Sequence, residues 1–89
     1  MVFFSKVEDT FLISGRGLVI VPAPWQEDLK VRATTPIQLR TPDGRVLDTH
    51  IKSVEILFGQ KVGDKQAAFL MPNNITKEDV PNETEIWLA

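Results

Sequence analysis

The chain's single histidine lies among charged residues at a spacing that could support acid–base chemistry. Asp48, His50 and Lys52 alternate along a stretch predicted to be extended, so all three can share one face of a strand. A carboxylate beside an imidazole can orient the ring, but hydrolysis also needs a nucleophile, and the sequence offers none positioned to complete a triad. We interpret this trio as a solvent-facing charged strand.

Metal and phosphate chemistry are not indicated either. One histidine, no cysteine and scattered carboxylates do not make a zinc site or a calcium loop. The Ser14-Gly15-Arg16-Gly17 stretch lacks the lysine and hydroxyl of a phosphate-binding loop, and it leads into a predicted strand rather than a helix. We therefore predict no enzyme activity, no cofactor, no metal and no GTP binding.

Size and composition limit the remaining function classes. The 89 residues suffice for a single domain, 1–89, and ten basic against twelve acidic residues give a net charge of −2. There is no basic excess to drive non-specific binding of nucleic acid. The absence of cysteine excludes disulfides. With no signal peptide and no long apolar run, the sequence predicts a cytoplasmic protein that does not enter a membrane.

Short apolar runs separated by glycine and proline about every ten residues predict strands and turns. Pro42-Asp43-Gly44 is typical of a hairpin turn, and residues 76–79 predict one capped helical turn. Residues 46–58 form the longest extended candidate, in which the apolar parity slips near Lys52-Ser53 and predicts a bulge. A closed barrel is favoured over an open sheet because closure removes exposed edges.

Residues 7–19 read V-E-D-T-F-L-I-S-G-R-G-L-V and resemble the opening of the second domain of translation elongation factor Tu. Ser53-Val54-Glu55-Ile56 is similar to that family's G-V-E-M strand. Gly63-Asp64, residues 76–80 and the closing Ile86-Trp87-Leu88-Ala89 are similar to its last segments. The resemblance covers nearly the whole chain. It implies an all-β fold, a closed six-stranded antiparallel Greek-key barrel.

In that family the barrel helps hold the acceptor end of aminoacyl-tRNA, with the terminal adenosine in a surface pocket. The resemblance implies that Ile13 and Val19 contact a base, that Gly15 permits close approach, and that Glu55 accepts from a ribose hydroxyl. Glu8 is the fifth matching position. The sequence contains no GTPase domain, and residues 22–28 depart from the family's loop, so we expect low affinity.

The same residues also fit a structural interpretation, in which the two glutamates are surface charges and Ile13 and Val19 pack the barrel. Arg16 is then expected to reach a carboxylate or a carbonyl. The leading hypothesis is a stand-alone module that binds a protein or an RNA 3′ end. The alternative is an assembly module, a monomer or weak homodimer, that acts through protein contacts at Trp25 and Trp87.

Overall fold

A computed structural model describes residues 1–24, 31–58 and 65–89. Within these ranges the chain forms seven strands and one 3₁₀ helix, Lys77–Asp79. The strands are β1 Val2–Ile13, β2 Gly17–Pro22, β3 Pro36–Arg40, β4 Val46–His50, β5 Ser53–Phe58, β6 Lys65–Leu70 and β7 Glu85–Leu88. Every pairing is antiparallel, and the order across the single curled sheet is β4-β3-β7-β1-β2-β6-β5. The prediction of an all-β fold is confirmed.

The prediction of a closed six-stranded barrel is wrong in strand number and in closure. The sheet has seven strands and ends at β4 and β5. These two strands are successive parts of the stretch that was predicted as one long strand. The backbone N–H of Ile51 donates to the Thr35 carbonyl at 3.0 Å, whereas the next N–H, of Lys52, donates to the Leu70 carbonyl at 2.9 Å. The chain therefore exchanges β3 for β6 as its neighbour within one residue.

The predicted slip in apolar parity is confirmed at this corner, but it arises where β4 ends and β5 begins rather than from the predicted bulge within one strand. Leu47, Ile51 and Val54 all pack against the same core, although Ile51 and Val54 are an odd number of residues apart. Side chains alternate faces along a strand, so an unbroken strand would send one of the two outward. The interruption at Ile51 and Lys52 returns Val54 to the inner face.

The main core fills the concave side of the sheet. Phe4 of β1 and Phe69 of β6 lie with ring centroids 5.8 Å apart at its centre. The buried members of this core are Phe4, Val7, Leu18, Ile20, Ile37, Leu39, Ile51, Phe69, Met71, Ile75, Val80 and Ile86.

A second buried cluster lies on the opposite face of the sheet. It consists of Val19 and Val21 of β2 and Ala68 and Leu70 of β6, with Phe11 and Ile13 of β1 packed against it. These residues alternate in sequence with members of the main core, so β2 and β6 are buried on both faces. This explains why β2 reads as an unbroken apolar run. No helix in the described ranges is long and apolar enough to cross a membrane.

The predicted helical turn at residues 76–79 is confirmed. The Asp79 carboxylate accepts from the Thr76 backbone N–H at 2.9 Å and from the Thr76 hydroxyl at 3.0 Å. These two hydrogen bonds, aided by the nearby Arg45 guanidinium, lower the pKa of Asp79 below its usual value. The carboxylate therefore stabilises the turn in its ionised form.

Replacing Asp79 by alanine is expected to lower the free energy of unfolding by about 1 kcal/mol at neutral pH, the usual contribution of a helix cap. Because folding lowers this pKa, the stabilisation is complete above the unfolded aspartate pKa of about 3.9. It is lost as pH falls through the lower folded-state pKa. Urea denaturation at several pH values should show wild type and variant converging in acid. Glu78→Ala, one residue away, is the control, and an equal loss there would contradict the assignment.

Candidate functional site

Three of the predicted site residues lie on one part of the outer face, across β1, β2, β6 and β5. Val19 pairs with Leu70, and Leu70 pairs with Ser53, which makes a row across three strands. Ile13, at the end of β1, packs against the same cluster. Glu55 is two residues from Ser53 on β5 and so projects to the same face.

An ion pair links the β1–β2 turn to strand β5. The Arg16 guanidinium donates to Oε1 of Glu55, so the prediction that Arg16 reaches a carboxylate is confirmed. The Ser53 hydroxyl donates to the same oxygen at 3.3 Å. The arginine and glutamate side chains keep 50% and 30% of their surface exposed. Because the pair is in contact with solvent, Arg16 and Glu55 can each exchange the other for a polar group of a ligand at little cost in free energy.

The turn that carries Arg16 depends on its glycines. Gly15 has φ +81° and Gly17 has φ +126°, backbone conformations that L side chains rarely adopt. The Arg16 N–H closes the turn on the Ile13 carbonyl at 3.0 Å. A Cβ added at Gly15 would meet no atom within 4 Å. The backbone at Gly15 is therefore open to approach by a ligand.

A groove of about 600 Å³ runs beside this turn. Residues 12–18 form one wall, and Asn73, Ile75, Thr76 and Lys77 form the other. Lys77 is anchored by donating to the Thr10 carbonyl at 3.2 Å. Sequence reasoning missed this second wall. The available signal was Pro72-Asn73-Asn74, a turn-forming stretch that follows an apolar run.

Two predicted residues do not take the expected positions. Val19 is 1% exposed, so it forms the floor beneath the surface rather than a direct contact for a base. Glu8 lies at the irregularity of β1 between Val7 and Asp9, with its side chain exposed. It is five residues from Ile13, or about 17 Å along an extended strand. The structure therefore does not bring Glu8 against the others.

The predicted protein-contact residue Trp87 lies on the outer face of β7, in the other half of the sheet. The Arg40 guanidinium lies 4.3 Å above the ring centroid, and the Phe3 ring meets Trp87 edge-on at 5.5 Å. The indole N–H donates to the Glu85 carboxylate at 2.9 Å. Trp25, the second predicted contact residue, lies outside the described residues.

The charged trio that opened the sequence analysis lies on an exposed surface, as predicted. Asp48, His50 and Lys52 are all exposed, and the Asp48 carboxylate accepts from the Gln38 amide at 3.0 Å. Among the residues with described positions, no group of three or more histidine, aspartate or glutamate side chains is arranged to hold a metal ion. The strongest candidate site is the outer face of β1, β2, β6 and β5, because the Arg16–Glu55 pair and the apolar cluster both lie there.

Comparison of the chain with models of known protein families, with curated proteins and with solved structures finds no match. The fold and the surface together define a small all-β domain in which an exposed arginine–glutamate pair borders an apolar cluster.

Proposed function

We propose that this domain binds the 3′ end of single-stranded RNA on the outer face of β1, β2, β6 and β5. The observation that supports the proposal is the Arg16–Glu55 pair at the margin of the cluster containing Ile13 and Leu70. A cation, a carboxylate and an apolar surface are the three groups needed to bind a phosphate, a ribose and a base. Here Arg16 reaches from the β1–β2 turn to Glu55 on β5, and Ile13 lies at the end of β1.

Each group has a defined part in the proposed complex. The base lies on Ile13, the ribose hydroxyls donate to the Glu55 carboxylate, and Arg16 leaves Glu55 to contact a phosphate. Arginine suits this exchange because its planar guanidinium matches carboxylate and phosphate oxygens equally well. One phosphate contact on a chain of net charge −2 gives weak binding. We expect dissociation constants of about 0.1 to 1 mM.

We also propose that the sheet is a variant of the second-domain barrel of elongation factor Tu. The V-E-D-T-F-L-I-S-G-R-G-L-V stretch supports this by forming β1, its glycine turn and β2. Residues 46–58 support it by pairing first with β3 and then with β6, so that both ends of the sheet belong to one segment. An experimental structure in which these two ladders lie apart would remove this kinship.

The direct test is an NMR titration of the ¹⁵N-labelled domain with short RNA ending in CCA. We expect concentration-dependent shifts at Ile13, Gly15 and Glu55. The matched DNA, which lacks the 2′-hydroxyl, should bind more weakly to wild type, and Glu55→Ala, which leaves no acceptor for that hydroxyl, should remove the preference. Absence of shifts at millimolar RNA would end the proposal.

Arg16→Gln is expected to weaken RNA binding about ten-fold and to reduce the salt dependence of the binding constant by about 0.7 in the log–log slope, the value for one phosphate contact on a single strand. Titration at three salt concentrations measures both quantities. Arg32→Gln is the matched control, since Arg32 is also exposed and lies outside the site. Equal losses in the two variants would indicate general electrostatic attraction.

A second function, assembly through protein contacts, is favoured by the surface around Trp87. Phe3, in ring contact with Trp87, is 42% exposed, and Val46, next to Arg40 on the neighbouring strand, is 57% exposed. Aromatic and arginine side chains that are partly exposed, as Trp87 and Arg40 are here, are typical of protein interfaces. Trp87→Ala should weaken assembly and leave the RNA-induced shifts unchanged, because the two surfaces occupy different halves of the sheet.

A further inference from the structure

Two opposite charges lie side by side on the outer face of β3 and β7 without pairing with each other. Arg40 and Glu85 are directly opposite in the register of the two strands. No ion pair joins them in the described part of the chain. The Arg40 Nε donates to the Gln38 amide oxygen at 2.7 Å, and the guanidinium covers Trp87. Glu85 accepts instead from the indole of Trp87.

Both charges are thus held by neutral groups and presented outward. Arg40 also lies 3.4 Å from the sulfur of Met1, which is 59% exposed. Holding the guanidinium over an aromatic ring restricts its rotamers, so the cation loses little further entropy on meeting a carboxylate. Phe3 and Val46 add exposed apolar surface on either side. We define the β3–β7 face as seven residues, namely Met1, Phe3, Gln38, Arg40, Val46, Glu85 and Trp87.

We propose that the β3–β7 face binds a second copy of this chain in a two-fold symmetric dimer. A two-fold axis that runs between β3 and β7, parallel to both, places Arg40 against the partner's Glu85 and Glu85 against the partner's Arg40. Symmetric interfaces require such self-complementarity. This inference rests on the second function proposed above and names the partner.

The charge pattern favours a second copy over other partners. A nucleic acid would gain Arg40 and Lys6, which lies opposite Glu85 on β1, but would meet the carboxylates of Glu85 and Asp48 on the same face. An acidic peptide would suffer the same repulsion at Glu85. A second copy neutralises both charges at once, and the same axis sets Trp87 against the partner's Gln38. Since the ion pairs lie near solvent, the dimer is weak, and we expect association at protein concentrations of about 0.1 to 1 mM.

Two charge reversals, Arg40→Glu and Glu85→Arg, test the arrangement. Each variant alone places like charges together at both contacts of a homodimer, so each should associate at least about ten-fold more weakly than wild type. An equimolar mixture should associate again, because each contact in the mixed dimer then joins a cation and a carboxylate. Sedimentation equilibrium of the separate and mixed variants measures this, and amide NMR spectra verify that each is folded. Arg32→Glu, an exposed charge reversal outside the face, is the control.

Association of the mixture but of neither variant alone supports the proposal, since no other partner produces that pattern. A wild type that remains monomeric at 1 mM, or reversals that associate as wild type does, would overturn it. If the dimer proposal fails, the second proposed function, assembly through this face, can still be tested separately. Suppose that the wild type is monomeric but binds a purified partner protein, and that Trp87→Ala abolishes this binding. The face then mediates assembly with another protein and not with a second copy of the chain.

Discussion

Replacing Phe69 by alanine is expected to lower the free energy of unfolding by about 3–5 kcal/mol, the usual cost of truncating a buried aromatic ring. Phe69 is fully buried at the centre of the main core, where its ring lies against Phe4. On β6 it pairs with Ile20 on one side and Val54 on the other, so removal opens a cavity between three strands. For a domain whose total stability is about 5–10 kcal/mol, this variant is close to unfolding.

The neighbouring position provides the matched control. Leu70 is also buried but belongs to the outer cluster, where it pairs with Val19. Leu70→Ala is expected to cost about 2–3 kcal/mol, the low end for a buried leucine, because the surface side of the cluster can relax. Urea denaturation of both variants measures the difference. A larger loss for Leu70→Ala would show that the outer cluster is the principal core, which would leave no surface there for a ligand.

The two variants also separate folding from the proposed binding. Leu70 pairs with Ser53, two residues from Glu55 on β5, whereas Phe69 projects to the opposite side of the sheet. Among variants that remain folded, Leu70→Ala should weaken RNA binding and Phe69→Leu should not. β2 and β6 are buried on both faces, so a ligand has access to the outer cluster only along its edges.

The elements that the sequence predicts well are those set by neighbouring residues. Ile37 and Leu39 alternate with polar residues on β3 and are buried, as the pattern predicts. At Pro42-Asp43-Gly44 the Gly44 N–H donates to the Thr41 carbonyl at 3.0 Å, which confirms the turn. The division into β4 and β5 depends instead on which strand lies alongside, and residues 46–58 carry no local signal for that.

The arrangement of the candidate site residues could be predicted from the sequence only in part, for the same reason. The resemblance selected Ile13 and Glu55, and reasoning about Arg16 anticipated a carboxylate. Which carboxylate it reaches is decided by a contact across 39 positions of sequence. The burial of Val19 agrees with the structural interpretation, in which Val19 packs the barrel, rather than with the base contact that the resemblance implies. Sequence alternation alone cannot tell a strand buried on one face from one buried on both.

The two proposed functions make use of different halves of the sheet. β1 runs through both, pairing with β7 over residues 2–6 and with β2 over residues 7–13. The irregularities of β1 lie next to this change of neighbour, near Phe3 and Val7, and turn the strand from one half to the other. The surface proposed for the dimer and the surface proposed for RNA thus lie on different halves of the sheet. We expect each to be occupied without blocking the other.

Replacing Gly17 by alanine is expected to lower the free energy of unfolding by about 1–3 kcal/mol, the cost of holding an L residue in a disfavoured backbone conformation. At φ +126° a side chain is strained regardless of space, and the added Cβ would also lie 3.5 Å from the Met71 carbonyl oxygen. Thermal or urea denaturation measures the loss. A cost near zero would mean that the turn relaxes and that Arg16 is not held in place by it.

Gly15→Asn tests the other glycine of the same turn. Asparagine tolerates the left-handed conformation that Gly15 adopts at φ +81°. The open space around Gly15 admits a side chain, so the variant should lose less than about 1 kcal/mol of stability. If a ligand approaches the backbone at this point, the same variant should weaken RNA binding while Arg16 still reaches Glu55 in the free protein. Unchanged stability with unchanged RNA affinity would restrict the glycine turn to a structural role. Unchanged stability with lost affinity would place the ligand against it.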